Sequence, residues 1–123
     1  MKPKPPTLTP QELEIMKLVW QKGEATVRDV FEEIHNRRKV AYTTVMTVMK
    51  VLEGKGHLKK RQHDRAYVYR PTQPESATVG SMVREFVDRL FDGAAKPLLV
   101  HLVKSHRLTK REVEELARQI EEV

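Results

Sequence analysis

Apolar residues recur at helical spacing along most of the chain, and the period changes once, between Leu58 and Arg70. The first helical stretch opens at Thr9-Pro10-Gln11-Glu12. Thr9 can cap, Pro10 suits the first helical position, and Glu12 completes a capping box. Leu13, Met16, Leu18, Val19 and Trp20 form a stripe and Gly23 stops it, which predicts a helix over Pro10–Lys22. A second capping box, Thr26-Val27-Arg28-Asp29, leads into Val27, Val30, Phe31 and Ile34 and predicts a helix over Val27–Arg37. Glu24-Ala25 between the two leaves room for no more than a token strand. The third stretch is AYTTVMTVMKVLEGKG, residues 41–56, closed by Gly54 and Gly56. Leu58–Gln62 and Ala66–Arg70 then have the β-branched and aromatic content of two short strands, joined around His63-Asp64-Arg65 and ended by Pro71.

Beyond Pro71, Thr72-Gln73-Pro74-Glu75 starts another helix. Val79, Met82, Val83, Phe86, Val87, Leu90 and Phe91 give it the strongest amphipathic pattern in the chain, and Gly93 ends it. Ala95–Lys104 is a shorter, more evenly apolar helix. Thr109-Lys110-Arg111-Glu112 caps the last one, with Val113, Leu116, Ala117 and Ile120 on one face. Helix–helix–helix–hairpin is the order of a winged helix-turn-helix. The predicted fold is mainly α with a small β-hairpin: a flexible arm over 1–7, a winged-helix DNA-binding domain over 8–73, and a helical dimerisation domain over 74–123. A segment as short as 76–123 cannot bury three amphipathic helices alone. Phe86, Leu90, Phe91, Leu99, Leu102 and Val103 are therefore candidates for a core shared by a homodimer.

The third helix has two faces. Val45, Val48, Met49 and Leu52 make the buried one. Thr43, Met46, Thr47 and Lys50 repeat that spacing two positions earlier, about 200° around, and so lie nearly opposite. Threonine is a mediocre helix former, so propensity does not explain Thr43 and Thr47 there. A short, stiff hydroxyl with a methyl does suit a major groove, where it can meet phosphates, base edges and the thymine methyl.

Charge strengthens that reading. The chain carries a net +6 over its 123 residues. Arg37–Arg70 alone holds ten Lys and Arg against Glu53 and Asp64, a net +8, while 76–123 is neutral. A foldable segment this basic suits a polyanion. Candidate DNA contacts are Tyr42, Thr43, Thr44, Met46, Thr47 and Lys50 on the helix, with Arg61 and Arg65 on the hairpin. An arginine at the hairpin tip suits phosphates or a narrow minor groove. Tyr67 and Tyr69 share one side of their strand and are expected to pack in the core.

Other chemistry is poorly supplied. There is no phosphate-cradling glycine loop, no HExxH and no GxSxG, and the basic half has no acidic cluster to hold Mg²⁺, so the chain is not expected to be an enzyme. With no cysteine, disulfides and thiolate metal sites are excluded. His35, His57, His63, His101 and His106 lack ligand spacing, so neither metal nor cofactor is expected. Aromatics make up 6% of residues, few for stacking splayed RNA bases. No apolar run reaches the roughly 18 residues of a membrane span, and MKPKPPTLTP is no secretory signal, so a cytoplasmic protein is expected. The alternative is a winged-helix adaptor that binds protein without reading DNA, which fold alone does not exclude.

TPQELEIMKLVW, ATVRDVFEEI, AYTTVMTVMKVLEGKGHL and DRAYVYRP, followed by SMVREFVDRLFDGA and REVEELARQIEE, resemble the penicillinase and methicillin-resistance repressor family from Leu8 to Val123. The resemblance implies a homodimeric bacterial repressor. Its N-terminal winged helix would bind a double-stranded operator with dyad symmetry, and its C-terminal helices would interlock with the partner's. In the family's best-known branch, a membrane sensor detects β-lactam and the repressor is cut in the dimerisation region. The chain departs from the pattern in three ways. Thr43 and Met46 stand where the resistance repressors have charged residues. The position of their scissile Asn-Phe pair is His101-Leu102 here, so a sensor protease is a partner by analogy alone. The paired cysteines of the copper-responsive branch are absent.

Overall fold

The computed structural model describes residues 7–121; most of the proposed N-terminal arm thus lies outside the described residues. The chain divides into two compact units, which meet between Val79 and Gly80.

In the first unit, α1 spans Pro10–Lys22. Its cap is reciprocal: Glu12 N–H donates to Thr9 Oγ1 at 3.2 Å and Thr9 N–H donates to Glu12 Oε1 at 2.8 Å. Gly23 closes it at φ +85°, a conformation that suits a residue without Cβ. The second helix, α2, runs Val27–His35 behind the Thr26–Asp29 capping box. It ends two residues before the expected Arg37, because the chain tightens there: Arg37 N–H donates to the Ile34 carbonyl at 2.9 Å. The third helix, α3, runs Tyr42–Gly54. Ile15, Met16, Leu18 and Val19 of α1 meet Val30 and Ile34 of α2 and Val45, Met49 and Leu52 of α3 in one buried core. Val48, expected in that core, is only half-buried at its edge.

The hairpin pairs β1, Leu58–His63, antiparallel with β2, Ala66–Pro71, in register from Leu58↔Pro71 to His63↔Ala66. Asp64-Arg65 is therefore the two-residue turn, with Asp64 at φ +55°. Each strand is one residue longer than expected; Pro71 is tolerated because it occupies a strand end. Glu24-Ala25 forms no strand, only a single bridge. Ala25 and Tyr69 exchange backbone hydrogen bonds of 2.9 and 2.8 Å. The fourth helix, α4, spans Glu75–Phe91. Its start belongs to the first unit: Trp20 Nε1 donates to the Gln73 carbonyl at 3.0 Å, Lys17 pairs with Glu75 at 2.7 Å, and Thr78 is buried.

The second unit holds the rest of α4, then α5, Ala95–Lys104, and α6, Lys110–Glu121, the last capped by Thr109 and Glu112. No described residue from Gly80 onward is buried. Phe86, Leu90, Leu99 and Val103 are exposed, Leu90 by 59%, and Leu116 and Ile120 are exposed on α6. Phe91 and Leu102 are half-buried, and the Phe86 and Phe91 rings meet edge-on at 5.9 Å. His101 is exposed and sits inside α5 beside Leu102. No helix among the described residues is long and apolar enough to cross a membrane.

Candidate nucleic-acid interface

The core fixes which way α3 turns. With Val45, Met49 and Leu52 inward, Thr43, Thr44, Thr47 and Lys50 are exposed and Met46 is half-buried. At the start of the helix, Tyr42 is steadied by Phe31, edge-on at 5.4 Å, and Phe31 in turn stacks on His35 at 5.1 Å. The far end is pegged to α1: Lys55 Nζ donates to Glu12 Oε1 at 2.8 Å. Burial alone would raise the Glu12 carboxyl, but the hydrogen bonds from Lys55 and Thr9 outweigh it and hold the group below the usual carboxylate range.

Beside α3 lies a cleft of about 600 Å³. Thr26, Val27 and Arg28 bound it from α2, Tyr42, Met46 and Lys50 from α3, and Lys60, Arg65, Tyr67 and Tyr69 from the hairpin. Strand alternation explains Lys60, Tyr67 and Tyr69, while Arg65 and Ala66 reach the cleft from the hairpin tip. Lys60, Gln62, Tyr67 and Tyr69 fall on the side that faces α3, whereas Lys59, Arg61, Val68 and Arg70 fall on the other. Lys60 Nζ sits 4.4 Å from the centroid of the Tyr67 ring and 3.4 Å from Glu53. Lys50 and Arg65 have no ion-pair partner among the described residues.

The structure thus gathers Tyr42, Met46, Lys50 and Arg65 at the cleft, with Thr43, Thr44 and Thr47 exposed along the same helix. It sets Arg61 apart, on the hairpin's outer side, where Nη2 approaches both oxygens of Glu24 at 3.2 and 3.3 Å. Tyr69 is buried as expected, at 2% exposure, and burial pushes its phenol up. Tyr67, expected in the core, is 49% exposed. It lies two residues nearer the tip, past the level where Ala25 pairs with Tyr69. Arg28, Lys60 and Tyr67 were not among the candidate contacts. Alternation could have found the last two, since they share a strand face with Tyr69. Arg28 enters only through the packing of α2 on α3, which no local pattern encodes.

Hydroxyls and unpaired cations around an open cleft can bind and orient an anion. Among the described residues, no group of three or more histidines and carboxylates is placed to hold a metal. The three helices, the hairpin against α3 and the outward helix face together define a winged helix-turn-helix module.

Comparison with known proteins agrees and narrows the class. The family model described as penicillinase repressor matches residues 8–122, and the chain belongs to that family. The penicillinase repressor of Bacillus licheniformis is 26% identical over 117 residues, covering 95% of this chain and 91% of its own. The transcriptional regulator BlaI of Mycobacterium tuberculosis (strain CDC 1551 / Oshkosh) is 35% identical over 114 residues, covering 91% and 81%. Among solved structures, the DNA-binding domain of the repressor BlaI matches with TM-score 0.54 at 29% identity, over 61% of this chain and 92% of that one. The Bacillus licheniformis BlaI monomer in complex with the blaP half-operator matches with TM-score 0.52 at 30% identity, over 59% and 89%. A mutant of MarR from E. coli, 14% identical with TM-score 0.55 over 94% of this chain and 76% of its own, shares the fold alone.

Proposed function

We propose that this chain is a transcriptional repressor that binds duplex DNA in a sequence-specific way, as a homodimer on an operator with dyad symmetry. The observation that carries the reading is the exposed row Thr43, Thr47 and Lys50 on α3, set beside a cleft of cations. Thr43, Thr44, Met46 and Thr47 are assigned to base edges, where short side chains read hydrogen-bonding groups and methyls. Lys50, Lys60 and Arg65 are assigned to phosphates, and the Tyr42 hydroxyl to the backbone beside the start of α3. The solved complex of a relative with its half-operator supports this use of the fold.

The homodimer is supported by the second unit. Helices without one buried residue among those described do not form a core of their own. Phe86, Leu90, Phe91, Leu99, Leu102 and Val103 are its proposed shared core. Separation of the dimer is then the off switch. A sensor protease that cut at His101-Leu102 would have to unwind α5 first, because both residues lie inside that helix.

Thr47→Ala and Lys50→Ala test the reading, measured by fluorescence anisotropy on the DNA upstream of the chain's own gene and on random duplex. Thr47→Ala should cost about 1 kcal/mol more per half-site on the first DNA than on the second. Lys50→Ala should weaken both alike and flatten the salt dependence by about 0.9 per half-site. Equal losses on both DNAs for Thr47→Ala would remove base reading by α3.

A further inference from the structure

Lys59 and Arg70 stand directly opposite each other in the hairpin. Both are exposed, and neither has an ion-pair partner among the described residues. Like charges at facing positions destabilise an antiparallel pair, so these two do not serve the hairpin's own stability. Alternation adds Arg61 to the same face, two residues from Lys59 and opposite Val68. None of the three lines the cleft beside α3. The carboxylate that reaches this outer face is Glu24, placed there by the Ala25↔Tyr69 bridge and held against the Arg61 guanidinium.

We propose that the outer face of the hairpin is a second DNA-contact surface, separate from the α3 cleft. Lys59 and Arg70 hold backbone phosphates there, and Glu24 sets whether Arg61 joins them. The proposal rests on the DNA-binding reading above. Val68 is buried on this face, but Lys59, Arg61 and Arg70 around it are exposed cations, which fits a polyanionic backbone and carries no sequence information. Arg61 is the conditional member. An exposed arginine–carboxylate pair is weak, and a phosphate offers the same fork geometry. Glu24 and a nearby phosphate therefore compete for Arg61 on almost equal terms, and DNA gains this cation only by displacing Glu24.

The test measures affinity for a random duplex against salt concentration, using the full chain. The slope of log affinity against log salt should flatten by about 1.8 per protomer in the K59Q/R70Q double variant, since two counterions fewer are released. Relief of the facing charges should leave its melting temperature equal to or above wild type. Glu24→Gln should tighten binding about two- to five-fold and steepen the slope by about 0.9. Both gains should vanish in an Arg61→Ala background, because a general charge effect of Glu24 would survive that change. If K59Q/R70Q keeps the wild-type slope while Lys50→Ala flattens it, the outer face does not touch DNA and the proposal is overturned. An equal gain from Glu24→Gln in both backgrounds overturns the role of Glu24. A wild type with no salt-dependent binding at all would instead remove the DNA-binding reading itself.

Discussion

Glu12 is the residue whose two tasks are hardest to separate. It caps α1 through Thr9 and anchors the end of α3 through Lys55, with the same oxygen in both contacts. Its folded carboxyl lies below the ordinary carboxylate value, so it stabilises the fold most fully above that value. The stability is lost as pH falls through the lower folded value. Glu12→Gln should therefore cost about 1–2 kcal/mol at pH 7, between the exposed and buried limits for an ion pair. The difference from wild type should close in acid melts taken below the carboxylate range; a constant difference would mean that the pair contributes no charge energy. This carboxylate was legible in the sequence as a cap, but its tie to Lys55 was not, because the two meet only when α1 packs on α3. The same limit separated Arg61 from the other proposed contacts. Its positive charge is plain in the sequence, yet its strand face and its Glu24 partner depend on hairpin register and on the Ala25 bridge.

At the level of elements, glycines divide by conformation rather than by space. Gly80 lies within α4, without a left-handed φ, and an added Cβ would meet nothing within 4 Å among the described residues. Gly80→Ala should therefore raise the melting temperature, with a gain of about 0.5–1 kcal/mol. Gly23 is as open, but its φ of +85° is one that alanine resists. Gly23→Ala should lower stability by about 1–2 kcal/mol. Thermal melts that moved both variants the same way would contradict this division. Side-chain caps made helix starts legible: Thr9, Thr26 and Thr109 start their helices as expected. Ends were less legible. Arg37 continues the helical pattern of α2, but a tight turn at Ile34 has already closed the helix, and Pro71 reads as a stop although it still occupies a paired position.

For the whole molecule, the decisive quantity is assembly. Leu90→Asp should abolish the dimer, because an unpaired charge in a shared core costs several kcal/mol. Sedimentation at micromolar concentration should give a dimer for wild type and a monomer for the variant; a monomeric wild type would end the proposal. A fragment of residues 1–101 should keep the winged-helix circular dichroism and bind the full operator about 100-fold more weakly, through loss of the second half-site. One further consequence comes from Trp20, the chain's single tryptophan. Its indole N–H holds the Gln73 carbonyl just ahead of α4, so its fluorescence is a built-in optical gauge of whether that junction is closed. In urea the emission should shift to the red together with the loss of helical circular dichroism, if the buried Thr78 and the Lys17–Glu75 pair make the junction unfold with the three-helix core. An earlier red shift would mean that the junction opens by itself, and the same light signal could then follow its opening when DNA is bound or released.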